Sequence, residues 1–123
     1  MNGKLTPISF SEKFSNFSEQ WSPKVIAEMN DYQFKLVRLE GDFVWHQHEN
    51  TDETFIVLEG SLAIDFEDAT VELKAGQLLV VPRGVMHRPR AASEANVLLV
   101  EPRGVINTGQ ADSALTAPID RWI

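Results

Sequence analysis

The chain carries three histidines, and two of them, His46 and His48, stand one residue apart in the stretch WHQHENTDE (45–53). Residues two apart on an extended strand project to the same side. The imidazoles of His46 and His48 are therefore expected to point together, with Trp45 and Gln47 facing the other way. Two imidazoles at this spacing can share one metal ion, each nitrogen about 2.0–2.1 Å from it. A four-residue loop, ENTD, follows, after which Glu53 can return a carboxylate to the same point. The third histidine, His87, lies beyond a Pro82-Arg83-Gly84 turn and joins the set if its strand is a neighbour. The competing reading is a polar hairpin edge whose histidines are satisfied one by one.

The elements that must position these residues read as strands. In LAIDFED (62–68), Leu62, Ile64 and Phe66 alternate with Ala63, Asp65 and Glu67, the two-residue period of a half-buried strand. TVELKAG repeats the pattern with Val71 and Leu73, and a hairpin turn is expected between the two. FIVLEG, QLLVVP and NVLLVEP are short and apolar nearly throughout, as strands covered on both faces are. YQFKLVRLEG and KVIAEMN are weaker strand candidates. Gly41, Gly60, Gly76, Gly84 and Gly104, with Pro82 and Pro102, fall at turn positions between them. Seven or eight short strands without a long helical crossover predict an all-β, antiparallel sandwich or barrel over about 24–102.

Two segments flank this barrel. In FSEKFSNFSEQW (10–21), Phe10, Phe14, Phe17 and Trp21 recur at helical spacing. Ser9 or Ser11 is a candidate cap and Ser22-Pro23 a candidate stop. This predicts a short N-terminal helix that plugs one end of the core. After Pro102 the period is lost, and 103–123 reads as an irregular C-terminal arm pinned at its end by Ile119, Trp122 and Ile123.

With 123 residues the chain is read as a single domain, 1–123. A net charge of −7 repels phosphate backbones, so no nucleic-acid partner is expected. Arg83, Arg88, Arg90 and Arg103 read as solvated faces or ion pairs. No apolar run approaches the length of about 18 residues that a membrane helix needs. The start, MNGKLTPISF, lacks the basic-then-apolar pattern of a secretory leader, and a cytoplasmic location is expected. Cysteine is absent, which rules out disulfides and thiolate ligands.

GDFVWHQHENTDETFIVLEG (41–60) and GQLLVVPRGVMHRPRA (76–91) together resemble the two motifs of the cupin superfamily. The first pairs HxH with a glutamate and a closing glycine, here His46, His48, Glu53 and Gly60. The second runs glycine, P-x-G and histidine, here Gly76, Pro82, Gly84 and His87. Two positions depart from the pattern: only four residues separate Gly41 from His46, and Ala91 stands where the family has asparagine. Neither is a ligand position.

The resemblance implies a double-stranded β-helix, the jelly-roll cupin barrel, with one divalent transition metal on His46, His48, Glu53 and His87. Three imidazoles and a carboxylate suit Fe, Mn, Ni, Zn, Co or Cu alike. It also implies two open coordination positions for a small, anionic or bidentate organic molecule, and a homodimer. The edge strand candidate Lys24–Asn30 is one place where a second copy can add to the sheet. The activity implied is that of a dioxygenase, isomerase or lyase, or else non-catalytic binding or sensing. Strand alternation puts Val44, Phe55, Val57 and Val85 on the same side as the ligands, as a mostly apolar substrate pocket. Arg88, Arg90 and Gln47 point away. No second acid or base is apparent, which leaves proton transfer to Glu53, bound water or the substrate.

Overall fold

The computed structural model describes residues 5–123; residues 1–4, where the stretch read for a secretory leader begins, lie outside it. In chain order the elements are α1 (Phe10–Phe14), β1 (Lys24–Met29), β2 (Tyr32–Asp42), β3 (Glu53–Glu59), β4 (Ser61–Asp65), β5 (Thr70–Lys74), β6 (Leu78–Val81) and β7 (Arg88–Pro102). Every paired strand is antiparallel. The main path runs β1-β2-β7-β3-β6, while β4 pairs with β5 and with the first part of β7. β7 is the spine: Arg88–Arg90 pair with β4, and Val97–Val100 lie between β2 and β3. This is an open-sided jelly roll rather than a closed barrel. Among the described residues no helix is long and apolar enough to cross a membrane.

The inward faces of the two layers make one core, in which Val37, Val57, Leu62, Ile64 and Val97 are almost wholly buried. A second apolar cluster lies on the outside of the main sheet, where Phe14 and Phe17 cover Ile26, Leu36 and Leu98. The helix that carries Phe14 is only five residues long, not the 10–21 expected from spacing. Ser9 caps it, its hydroxyl accepting from the Glu12 N–H. It stops early because the Arg38 guanidinium donates to the carbonyls of Phe14 and Phe17, at 2.7 and 3.0 Å, which a longer helix would pair internally. Trp21 then adopts a positive φ of 58° and turns its ring inward. Phe10, the first residue of the stripe, is left 40% exposed.

Two further expectations are corrected. QLLVVP is not covered on both faces: it forms β6, at an end of the main sheet, and leaves Leu78 and Val80 exposed on the outer side. The C-terminal arm is irregular, but Ile119 and Trp122 do not pin it, for both are about half exposed. Ile123 does pack against the outer apolar cluster, and backbone bonds hold the end beside it: Val25 N–H donates to Arg121 O and Ile123 N–H donates to Val25 O. The arm thus occupies the free edge of β1 at Val25. Asn107 fastens its middle, donating to the carbonyls of Trp21 and Leu115 and accepting from the Ala117 N–H.

Candidate metal centre

The histidine pair does not lie within a long strand. β2 ends at Asp42, and His46 instead forms an isolated bridge with His87. The His46 N–H donates to His87 O at 3.0 Å, and the His87 N–H donates to His46 O at 2.9 Å. A third bond, Gly84 N–H to His48 O, holds the same ribbon. Side chains at 46 and 48 nonetheless share a face, as strand geometry requires. Trp45 turns outward, 41% exposed, beneath the Arg88 guanidinium. Glu53 enters from the first residue of β3.

The four side chains meet inside the barrel. One donor atom from each of His46, His48, Glu53 and His87 lies within 4.8 Å of all the others, and all four residues are buried. Glu53 Oε1 is 3.4 Å from both His48 Nε2 and His87 Nε2. That is too long for a charge-assisted hydrogen bond, which closes to about 2.7–2.9 Å. Two ligands of one cation fall in this range: bonds of about 2.0–2.2 Å place neighbouring donors about 3 Å apart at right angles and about 3.4 Å apart at tetrahedral angles.

Three buried atoms, His48 Nε2, Glu53 Oε1 and His87 Nε2, find no hydrogen-bond partner among the described residues. Such atoms are costly in a dry interior. The Nδ1 atoms of His46 and His87 contact the carbonyls of Val44 and Val85, both at 2.9 Å. A carbonyl only accepts, so each Nδ1 carries the proton and each Nε2 turns its lone pair to the centre. The donor set therefore fits a divalent transition metal.

Electrostatics agree. Burial, with the neighbouring His87, lowers His46 from 6.5 to about 4, so its imidazole stays neutral near pH 7. Burial alone would raise Glu53, but its contacts with His48 and His87 outweigh this and hold it below the ordinary carboxylate range. Glu53 is thus the one anionic group among the four candidate donors.

A cavity of about 30 Å³ adjoins the centre, bounded by Trp21, Val37, Leu39, Phe43, Phe55 and Leu99, with His46 and Glu53 as its polar side and Asn107 at its rim. Trp21 and Phe43 stack at 4.5 Å to form one wall. Of the expected pocket residues Phe55 lines this space. Val44, Val57 and Val85 do not, and pack into the surrounding core. Val57 belongs to the buried core cluster, and Val44 and Val85 lie outside the regular strands. The alternation that identifies Val37 and Leu39 is present in β2, but Phe34 and Leu36 on its other face are equally apolar. Trp21 was marked only as part of the helical stripe, and Asn107 carried no periodic signal.

A second acid was also missed. Glu101 on β7 is 1% exposed, bonded through Oε2 to the buried ammonium of Lys35 at 2.7 Å, and set alongside Glu53 by the pairing of β7 with β3. Burial and the charge of Glu53 push Glu101 well above the usual range, against the pull of Lys35. Arg88 and Arg90, expected to face away, do so: both are bonded to Asp65 on the outer side.

An antiparallel jelly roll with three imidazoles and one carboxylate converging inside it defines a class of small β-barrel built around a candidate metal site. Residues 35–103 match the family model of the cupin domain, and the chain belongs to the cupin family. It is similar to a cupin-2 domain containing protein from Shewanella frigidimarina, at 57% identity and a TM-score of 0.77 over 78% of this chain and 94% of that one. It is likewise similar to protein NMB1881 from Neisseria meningitidis, at 33% identity and a TM-score of 0.73 over 79% and 99%. The uncharacterized protein YdbB of Bacillus subtilis is 46% identical over 81 residues, and the match spans 65% of this chain and 66% of YdbB.

Proposed function

We propose that the chain, as one cupin domain over 1–123, holds a single divalent transition metal on His46, His48, Glu53 and His87 and uses it to coordinate a small anionic or bidentate organic molecule. The observation that carries this is the buried convergence of four donor atoms, three of them without another partner. When bound, the metal supplies Lewis acidity or, if redox-active, a site for dioxygen. The residues of the chain do the rest. Nδ1–H bonds to Val44 O and Val85 O keep two imidazoles aimed inward. Glu53 offsets one of the cation's two charges and leaves the site net positive, which favours an anionic ligand. Trp21, Phe43 and Phe55 wall the site with apolar surface and exclude water.

Turnover by dioxygenation, isomerisation or lysis is the first reading, and binding or sensing without turnover the second. Elemental analysis of protein purified under metal-replete conditions should give one metal per chain, and a stoichiometry near zero rejects the site. Oxygen uptake or product formation with a panel of chelating hydroxy-keto and carboxylate compounds supports the enzyme. Tight binding with no turnover under any metal supports the sensor.

The chain is also proposed to act as a homodimer. β1 is open to a second copy only beyond Val25, whose edge the arm occupies. The exposed Leu78 and Val80 on β6 are the better apolar contact. A monomer mass by light scattering at micromolar concentration rejects the dimer.

A further inference from the structure

Trp21 holds a conformation that a bulky side chain seldom adopts, at φ 58° in the left-handed region. Such strain persists only where the surroundings enforce it, and it gathers at functional sites. Here three bonds enforce it. The Trp21 N–H donates to Arg38 O at 2.9 Å, its indole N–H donates to Glu40 O at 3.0 Å, and its carbonyl accepts from Asn107 at 3.0 Å. The ring is thereby stacked on Phe43 at 4.5 Å, and Phe43 in turn meets the His46 ring nearly at right angles, at 5.3 Å. The space these walls leave beside His46 and Glu53 is about 30 Å³. One water takes about 10–15 Å³ of such space, so the cavity admits a guest of about two or three heavy atoms. Among the described residues no lysine or arginine lines it, and the Asn107 amide N–H groups are committed to Trp21 O and Leu115 O. A negative charge on the guest is therefore met only at the metal.

Resting on the proposed metal site, the geometry points to Trp21 as the residue that sets ligand size there. Its ring restricts the ligand to a compact anion, a carboxylate head with little behind it, and shuts out the same head when it carries an aromatic ring. An apolar wall discriminates by about 10–200-fold for a single methylene group, so a whole ring is strongly excluded.

The test loads the protein with cobalt(II) and follows its visible ligand-field spectrum while formate or benzoate is added. Both probes present one carboxylate, so the difference between them reads size. Wild type should bind formate at least about tenfold more tightly than benzoate. Trp21→Gly removes the ring and adopts the positive φ without strain, and should narrow that ratio by about tenfold or more. If Trp21→Gly does not fold, Trp21→Leu keeps an apolar side chain but shortens the wall, and should narrow the ratio by about threefold or more. Leu73→Ala loosens the same core away from the cavity and should keep the wild-type ratio. The inference alone is overturned by a cobalt-loaded wild type indifferent to formate, by equal binding of the two probes, or by an unchanged ratio in the folded tryptophan variant. The same gain in Leu73→Ala overturns it too, since general loosening would then explain the effect. Wild-type protein that takes up no cobalt overturns the metal site and this inference together.

Discussion

Acidification should destabilise the metal-free barrel through His46. The ring is 3% exposed and packed between His87 and Phe43, at centroid distances of 4.3 and 5.3 Å. Burial first, then the neighbouring imidazole, lowers its pKa from 6.5 to about 4. An unfolded chain takes up the proton as pH falls below about 6.5, whereas the folded chain resists until about 4. The folded state is therefore at full stability above the unfolded pKa and loses stability as pH falls toward the folded one. Across 2.5 units the linkage amounts to about 3 kcal/mol, of which about 2 kcal/mol is lost by pH 5. Most carboxylates remain ionised at that pH, so the window from 7 to 5 isolates histidine. Urea unfolding of metal-free wild type and His46→Gln should show the wild type losing about 2 kcal/mol more over this window. In an NMR titration the His46 ring should stay neutral until the pH approaches 4. A ring that titrates near 6.5, or equal losses in both proteins, refutes the reasoning.

His48→Ala and His87→Ala should each lose bound metal while keeping the wild-type far-ultraviolet circular dichroism, and a variant with full metal content shows that its residue is not a ligand. Lys35→Met alone leaves Glu101 buried opposite Glu53 without its counter-ion, and should lower unfolding stability by about 3–5 kcal/mol in urea. Unchanged stability would mean that Glu101 finds another partner. Gly60 turns the chain between β3 and β4 at φ +82°, and an added Cβ would stand 2.8 Å from Glu94 O and 3.1 Å from Ala95 Cα. Gly60→Ala should therefore cost about 2 kcal/mol or more by thermal unfolding, and a midpoint within a degree of wild type contradicts the contact.

Residue type, strand period and a short turn grouped His46, His48 and Glu53 as candidate ligands on the sequence, while His87, 34 residues beyond Glu53, joined them through the resemblance to the cupin motifs. Strand alternation likewise marked Leu62, Ile64 and Leu73 as core residues, since a period of two is set by backbone geometry. Where Phe10, Phe14, Phe17 and Trp21 repeated at helical spacing, the period was genuine but the helix was short. Arg38, twenty-four residues after Phe14, captures the carbonyls that the helix would have used. QLLVVP has the composition of a buried strand, and only sheet order places it at an edge.

Glu101 and Lys35 show most plainly what tertiary structure decided. On sequence each is a charged residue on a strand that carries other charges, and its partner is 66 positions away. Pairing of β2 with β7 brings the two together, and pairing of β7 with β3 sets Glu101 alongside Glu53. The same folding sets Trp21 against Phe43 and draws Asn107 of the arm over the cavity. The candidate ligands are written in residue type and motif spacing, which the chain holds without folding. The cavity and the buried charges beside Glu53 exist only through contacts between distant strands, which no local pattern encodes.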